Sequence, residues 1–157
     1  MGDSNAWLLM PYMLELAKKS KIELSGETVP GSSIISWSGK KYAKQWWKMR
    51  KFKPDLIVVC LGTNDACFEP HVLKNEPPYL KAMLDRMPAP VIWLGPPKLP
   101  PKVTEGLKTV IKMLLDAKVN LLDSRDIDIK MWANDVHPTP EGRKVWSDWA
   151  WKNINKE

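Results

Sequence analysis

Residues 54–65 read Pro54-Asp55-Leu56-Ile57-Val58-Val59-Cys60-Leu61-Gly62-Thr63-Asn64-Asp65. Six apolar residues in a row, rich in β-branched side chains and bounded by Pro and Gly, predict a strand buried on both faces. That points to a parallel sheet covered by helices. Val91-Ile92-Trp93-Leu94, closed by Gly95-Pro96-Pro97, predicts a second buried strand, and residues 119–122 a third. Residues 22–24, running on towards Val29, are a shorter candidate. Helix patterns lie over 7–19, 40–51, 79–86 and 104–117; in the last, Leu107, Val110, Ile111 and Leu114 share one face. Thr139-Pro140-Glu141 starts a final helix, with Thr139 as N-cap and Pro140 at the first helical position. Strands alternating with helices predict an α/β fold of three layers, α/β/α, around a parallel sheet. In such folds functional groups gather in the loops after the carboxyl ends of the strands.

The chain has 157 residues, 44% hydrophobic and 27% charged, which fits a single globular domain over 1–157. Two cysteines exclude a disulfide-stapled scaffold and a four-cysteine zinc site. The 56–61 run is too short to cross a bilayer, and no signal peptide opens the chain. The net charge of +6 is local. Residues 1–53 hold 10 Lys/Arg against 4 Asp/Glu, whereas residues 54–157 hold 14 of each. Most of the excess sits in Lys40-Lys41-Tyr42-Ala43-Lys44-Gln45-Trp46-Trp47-Lys48-Met49-Arg50-Lys51-Phe52-Lys53. This segment reads as an amphipathic helix with a solvated lysine face; the competing reading is an anionic-polymer binder.

Four short blocks carry chemistry: Gly2-Asp3-Ser4, then Val29-Pro30-Gly31-Ser32-Ser33-Ile34, then Gly62-Thr63-Asn64-Asp65, then Asn134-Asp135-Val136-His137-Pro138-Thr139. Ser4 and His137 are a candidate nucleophile and base, since serine attacks only when a base takes its proton. An acceptor beside His137 would fix its tautomer. The Ser4 and Gly31 amides and the Asn64 side-chain NH2 could hold a developing oxyanion. Ser4 also directly precedes a helix, whose N-terminal dipole favours negative charge.

The four blocks, in this order and spanning positions 2 to 142, resemble the SGNH hydrolases, the GDSL esterase/lipase superfamily. The matching residues are Ser4, Gly31, Asn64 and His137. No Gly-x-Ser-x-Gly elbow occurs, which argues against the ordinary α/β-hydrolase fold. The resemblance implies a flavodoxin-like sheet and a serine esterase. Ser4 would attack the ester carbonyl, His137 would take and return the proton, and the acyl-serine would be released by water. It also implies short acyl substrates, such as acetyl on a carbohydrate or other small alcohol, with no metal or cofactor. Stretches such as Gly31-Ser32-Ser33-Ile34-Ile35-Ser36-Trp37 look like a compact bacterial and phage subgroup. The expected location is cytoplasmic, or released on lysis if phage-encoded.

Two features depart from the family pattern. The family places Asp three residues before the histidine, where this chain has Asn134; Asp135 stands two before. Either residue could orient His137. The family also has a hydrophobic strand directly before Gly-Asp-Ser, where only Met1 stands here, so the first strand is expected to be missing or minimal. These departures keep open a catalytically silent binding domain of the same fold.

Other residues take blander expectations. Trp46, Trp146 and Trp149 sit at helical spacing and are expected in the core. Trp37 and Trp132 flank catalytic blocks and are candidates for a substrate cleft. Asp3 and Asp65 are expected to hold loops, His71 to lie in a loop, Cys60 in the core and Cys67 in a loop. Nucleic acid is not expected as a partner, and nothing in the sequence sets the oligomeric state.

Overall fold

The computed structural model describes residues 1–68, 70–133 and 135–156. The helices are α1 (Ser4–Ser20), α2 (Ile34–Ser38), α3 (Ala43–Phe52), α4 (Pro70–Lys74), α5 (Pro77–Leu84), α6 (Thr104–Asp116) and α7 (Pro140–Ile154). The strands are β1 (Ile57–Val59), β2 (Val91–Leu94) and β3 (Asn120–Leu122), and tight 3-10 turns cover Asp65–Cys67 and Pro101–Val103. The strands run parallel in the order β1-β2-β3, with Ile57 opposite Val91 and Ile92 opposite Asn120.

The first strand is reduced to a stub. Gly2 bridges Thr28 on one side and Cys60 on the other, both in parallel. Cys60 N donates to the Met1 carbonyl at 2.9 Å, and Val29 N to the Gly2 carbonyl at 2.9 Å. The order across the sheet is therefore residue 28, Gly2, β1, β2, β3, which is the flavodoxin-type order. Only glycine fits in the stub, because a Cβ at position 2 would stand 2.2 Å from the Cys60 carbonyl oxygen. A cleft of about 420 Å³, lined by Met1, Leu9, Met10, Leu24, Leu56 and Ile57 among others, opens beside it.

Residues 22–24 form no strand, contrary to the sequence expectation. The Ile22 amide closes the end of α1 by donating to the Ala17 carbonyl at 2.9 Å, so it is not offered to a ladder. Pairing begins only at Thr28. Helices α2 and α4 were also not expected. Ser33 and Ser36 form a reciprocal capping box at the start of α2, a short-range signal of the kind that starts helices.

Alternation along the strands sorts the core into two layers. Ile57, Val59, Leu61 and Trp93 pack with Ile34, Trp37, Trp46, Leu80, Val110 and Leu114 of α2, α3, α5 and α6. On the other face Cys60 and Leu94 pack with Leu9 of α1 and with Trp146 and Ala150 of α7. Buried indoles need a polar partner, and each has one. Trp37 Nε1 donates to Ser32 Oγ, Trp46 Nε1 to the Trp37 carbonyl, Trp93 Nε1 to the Leu61 carbonyl, and Trp146 Nε1 to Ser124 Oγ. These bonds tie the loops at the carboxyl edge of the sheet to the core beneath them.

The basic segment forms α3, which buries Trp46 and leaves Trp47 exposed. Lys48 pairs with Glu27 at 3.2 Å, and Lys51 lies 5.2 Å from the centre of the Trp47 ring. Among the described residues no helix is long and apolar enough to cross a membrane.

Candidate active site

In a sheet of this order, the chain reverses its winding between the first strand position and its neighbour, and a crevice forms there at the carboxyl ends. Here that crevice lies between Gly2 and β1. Asp3 follows the stub and caps α1, its side chain accepting from Asn5 N and Ala6 N. Ser4 is thereby fixed as the first helical residue, with its amide at the positive end of the helix.

Ser4 Oγ lies 2.9 Å from His137 Nε2. The other ring nitrogen, Nδ1, lies 2.8 Å from Asp135 Oδ1. The Val136 amide donates to the same oxygen at 2.6 Å, which aims the carboxylate back at the ring. Partial desolvation pushes the Asp135 carboxyl upward. The Val136 amide and the His137 ring outweigh it and hold the group below the usual carboxylate range. The loop itself is pinned by Trp132 N donating to the His137 carbonyl and Thr139 N to the Lys130 carbonyl. Asn134, the alternative position for the acid, lies outside the described residues. A chain of hydroxyl, imidazole and carboxylate at these distances can move a proton from the serine and stabilise the imidazolium that forms.

Gly31 takes φ +74°, a left-handed conformation that favours glycine, and no atom crowds the position of a Cβ. Asn64 Nδ2 donates to the Ser32 carbonyl at 2.8 Å, which fixes its amide against the Gly31 loop. Ser32 Oγ in turn reaches the Gly2 carbonyl at 3.3 Å. The four blocks thus meet at one end of the sheet.

Trp37 does not line an open cleft. It is 1% exposed and supports Ser32 from within the core, because it falls on the inward face of α2. Trp132 is 51% exposed beside the His137 loop and keeps its place as a cleft candidate. His71 lies in α4 rather than a loop; Cys60 is buried and Cys67 exposed. Among the described residues no group of three or more His, Cys, Asp or Glu could hold a metal ion.

Sequence reasoning missed two polar residues under the site. Asn5 is fully buried and donates to Thr63 Oγ1 and to the Val136 carbonyl. Glu76 is fully buried, and neither of its oxygens meets a donor among the described residues. It faces Asp65, whose Oδ1 accepts from Ile34 N at 2.8 Å. Two buried carboxyls in contact cannot both ionise, so one proton joins them. Burial, then contact with Asp65, pushes Glu76 up to about 10; burial also raises Asp65. Burial likewise lifts Asp3 to about 7.

These shifts set the pH dependence of stability. Above its ordinary pKa, about 4.3, Glu76 is ionised in the unfolded chain and protonated in the fold. The fold then holds more protons, so stability falls as pH rises, up to the folded value of about 10. Asp3 acts in the same sense, but only up to about 7. The buried Met1 ammonium, pushed down to about 6, acts in the opposite sense between about 6 and 8, so the Glu76 contribution is read as a difference between variants. The urea midpoint of wild type relative to Glu76→Gln is expected to decline from pH 5 to pH 9. A difference that stays level over that range would contradict the shared proton.

Comparison with known proteins gives consistent results. The sequence profile described as the GDSL-like Lipase/Acylhydrolase family matches residues 14–145. That match begins beyond Gly2-Asp3-Ser4, so the first block joins the others through the structure. No curated protein matches the chain in sequence. Among solved structures, a psychrotrophic esterase, EstA from Pseudoalteromonas sp., superposes with a TM-score of 0.75 at 15% identity, over 99% of this chain and 94% of that one. An acetyl xylan esterase, AlAXEase, gives 0.75 at 17% identity, over 98% and 96%. An acetylxylan esterase from Geobacillus stearothermophilus, Axe2, solved as a catalytic mutant, gives 0.68 at 13%, over 99% and 92%. At these identities the structures establish the fold. The family match spans most of the length, and the chain belongs to the GDSL-like Lipase/Acylhydrolase family, as a carboxylic ester hydrolase.

Proposed function

We propose that the chain is a serine esterase that removes a short acyl group, such as acetyl, from a carbohydrate or other small alcohol. The observation that carries this reading is the continuous contact Ser4 Oγ to His137 Nε2 to Asp135 Oδ1, at 2.9 and 2.8 Å. Ser4 attacks the ester carbonyl while His137 takes its proton, and Asp135 keeps the ring in the required tautomer. The oxyanion is met by the Ser4 and Gly31 amides and by the second N–H of Asn64, whose first is held by Ser32. His137 then protonates the leaving alcohol, and water repeats the sequence in reverse on the acyl-serine.

The choice of a short acyl group rests on two supports. The His137 and Asp135 side chains are 32% and 44% exposed, which suits a small acyl group on a large, solvated alcohol. Solved structures of similar fold also include two acetyl xylan esterases. EstA is described as inhibited by monoethylphosphonate, which suggests the probe. A phosphonate monoester should label the chain once, on the peptide that holds Ser4, and should stop hydrolysis of p-nitrophenyl acetate in proportion. Acetylated xylan should outcompete a long-chain ester. Labelling elsewhere would move the nucleophile away from Ser4, and no hydrolysis at all would leave a silent binding domain as the function.

A further inference from the structure

Asn5 is a fully buried amide on a helix face that otherwise buries Leu9 and Ala17. An apolar side chain would suit that face, so the amide needs a reason. Its partners supply one. Nδ2 donates to Thr63 Oγ1 at 3.0 Å and to the Val136 carbonyl at 3.2 Å. Each contact sits one residue from a group placed in the reaction. Asn5 itself follows Ser4, Thr63 precedes Asn64, and Val136 lies between Asp135 and His137.

One side chain, on the residue next to Ser4, therefore touches two other blocks, at residues 58 and 131 positions further along the chain. Its orientation is determined. A flipped amide would set Oδ1 against the Val136 carbonyl, and two acceptors repel. The present orientation leaves Oδ1 buried without a donor among the described residues. That orphan acceptor costs stability. The fold tolerates the cost at a position where a leucine would avoid it. Such local departures from packing rules are expected where function constrains a residue.

We infer that Asn5 is a positioning residue: its amide clamps the His137 loop and the Asn64 loop to the start of α1, and so sets the distance from Ser4 Oγ to His137 Nε2. It touches no reacting atom and acts through Val136 and Thr63. The inference rests on the esterase reading and specifies what holds that site in register. A displacement of about 1 Å between reacting groups can cost about 100-fold in rate, so the clamp should show in kcat and not in substrate affinity.

The test compares wild type with Asn5→Leu and Thr63→Val on p-nitrophenyl acetate at 25 °C, well below unfolding. Rates are counted per phosphonate-titrated site, and Tm and a crystal structure are obtained for each variant. Asn5→Leu is expected to lower kcat about 10- to 100-fold, with KM little changed and Tm kept or raised. Thr63→Val, which removes one of the two bonds, should fall in between. In the Asn5→Leu crystal the Ser4–His137 contact should open beyond hydrogen-bonding range. An unchanged kcat per titrated site, or an unchanged Ser4–His137 distance, would overturn the clamp. If wild type itself does not exceed Ser4→Ala in hydrolysis, the esterase reading has failed, and the crystallographic distance alone still judges the clamp.

Discussion

Ser4→Ala is expected to lower kcat/KM for p-nitrophenyl acetate by about 10⁴- to 10⁶-fold, the range found when a triad serine is removed. The fold should not register the change. Ser4 Oγ bonds only to His137 among the described residues, and the cap of α1 is made by the Asp3 side chain and survives intact. The Tm should therefore stay within about 2 °C, since ordinary surface substitutions lie within about 0.5 kcal/mol. Members of a triad act as a unit, so adding His137→Ala to Ser4→Ala should cost little more. On the proposed reading, any residual rate would come from the Gly31 and Asn64 donors. Equal hydrolysis by wild type and Ser4→Ala would place the chemistry elsewhere.

Asp135→Asn is the second large effect, about 10⁴-fold in kcat. Asparagine is the sharpest probe here because it preserves shape. Its Oδ1 can still accept from the Val136 amide, as the carboxylate does at 2.6 Å. What disappears is the charge that stabilises the imidazolium, together with the preference for the tautomer that leaves Nε2 free to take the serine proton. Asn134→Ala should leave kcat nearly unchanged. The opposite ranking, with Asn134 costly and Asp135 dispensable, would reassign the acid. The two alternatives left open by the sequence thus become one comparison of rates.

Much of this was legible in the sequence, for physical reasons that can be named. The 56–61 run signals a strand buried on both faces, and β1 sends Ile57 and Val59 to one layer and Val58 and Cys60 to the other. Ser4, Gly31, Asn64 and His137 were legible because strand ends and helix starts punctuate the chain beside them. Trp37 was misplaced because nearness in sequence to Gly31 does not say which way a helix face turns. Residues 22–24 had strand composition, but their first amide closes α1. Asn5 and Glu76 carry no local signal. Asn5 looks like any polar residue in a first helical turn, and Glu76 like a turn residue before Pro77-Pro78. Only contacts made across the fold give them meaning.

The pair Ser4 and His137 also fixes when activity can begin. They are 133 positions apart, almost the full length of the chain. A ribosome makes the N-terminal part first. On the proposed reading the nucleophile emerges early, with its capping aspartate and then both loops that would hold the oxyanion, and waits for a base made 133 residues later. If the triad is Ser4, His137 and Asp135, a nascent chain would gain its activity only once residue 137 is out and α7 has docked against α1. A premature stop before that codon would leave the nucleophile without its base. On that reading hydrolysis would report that translation had passed residue 137.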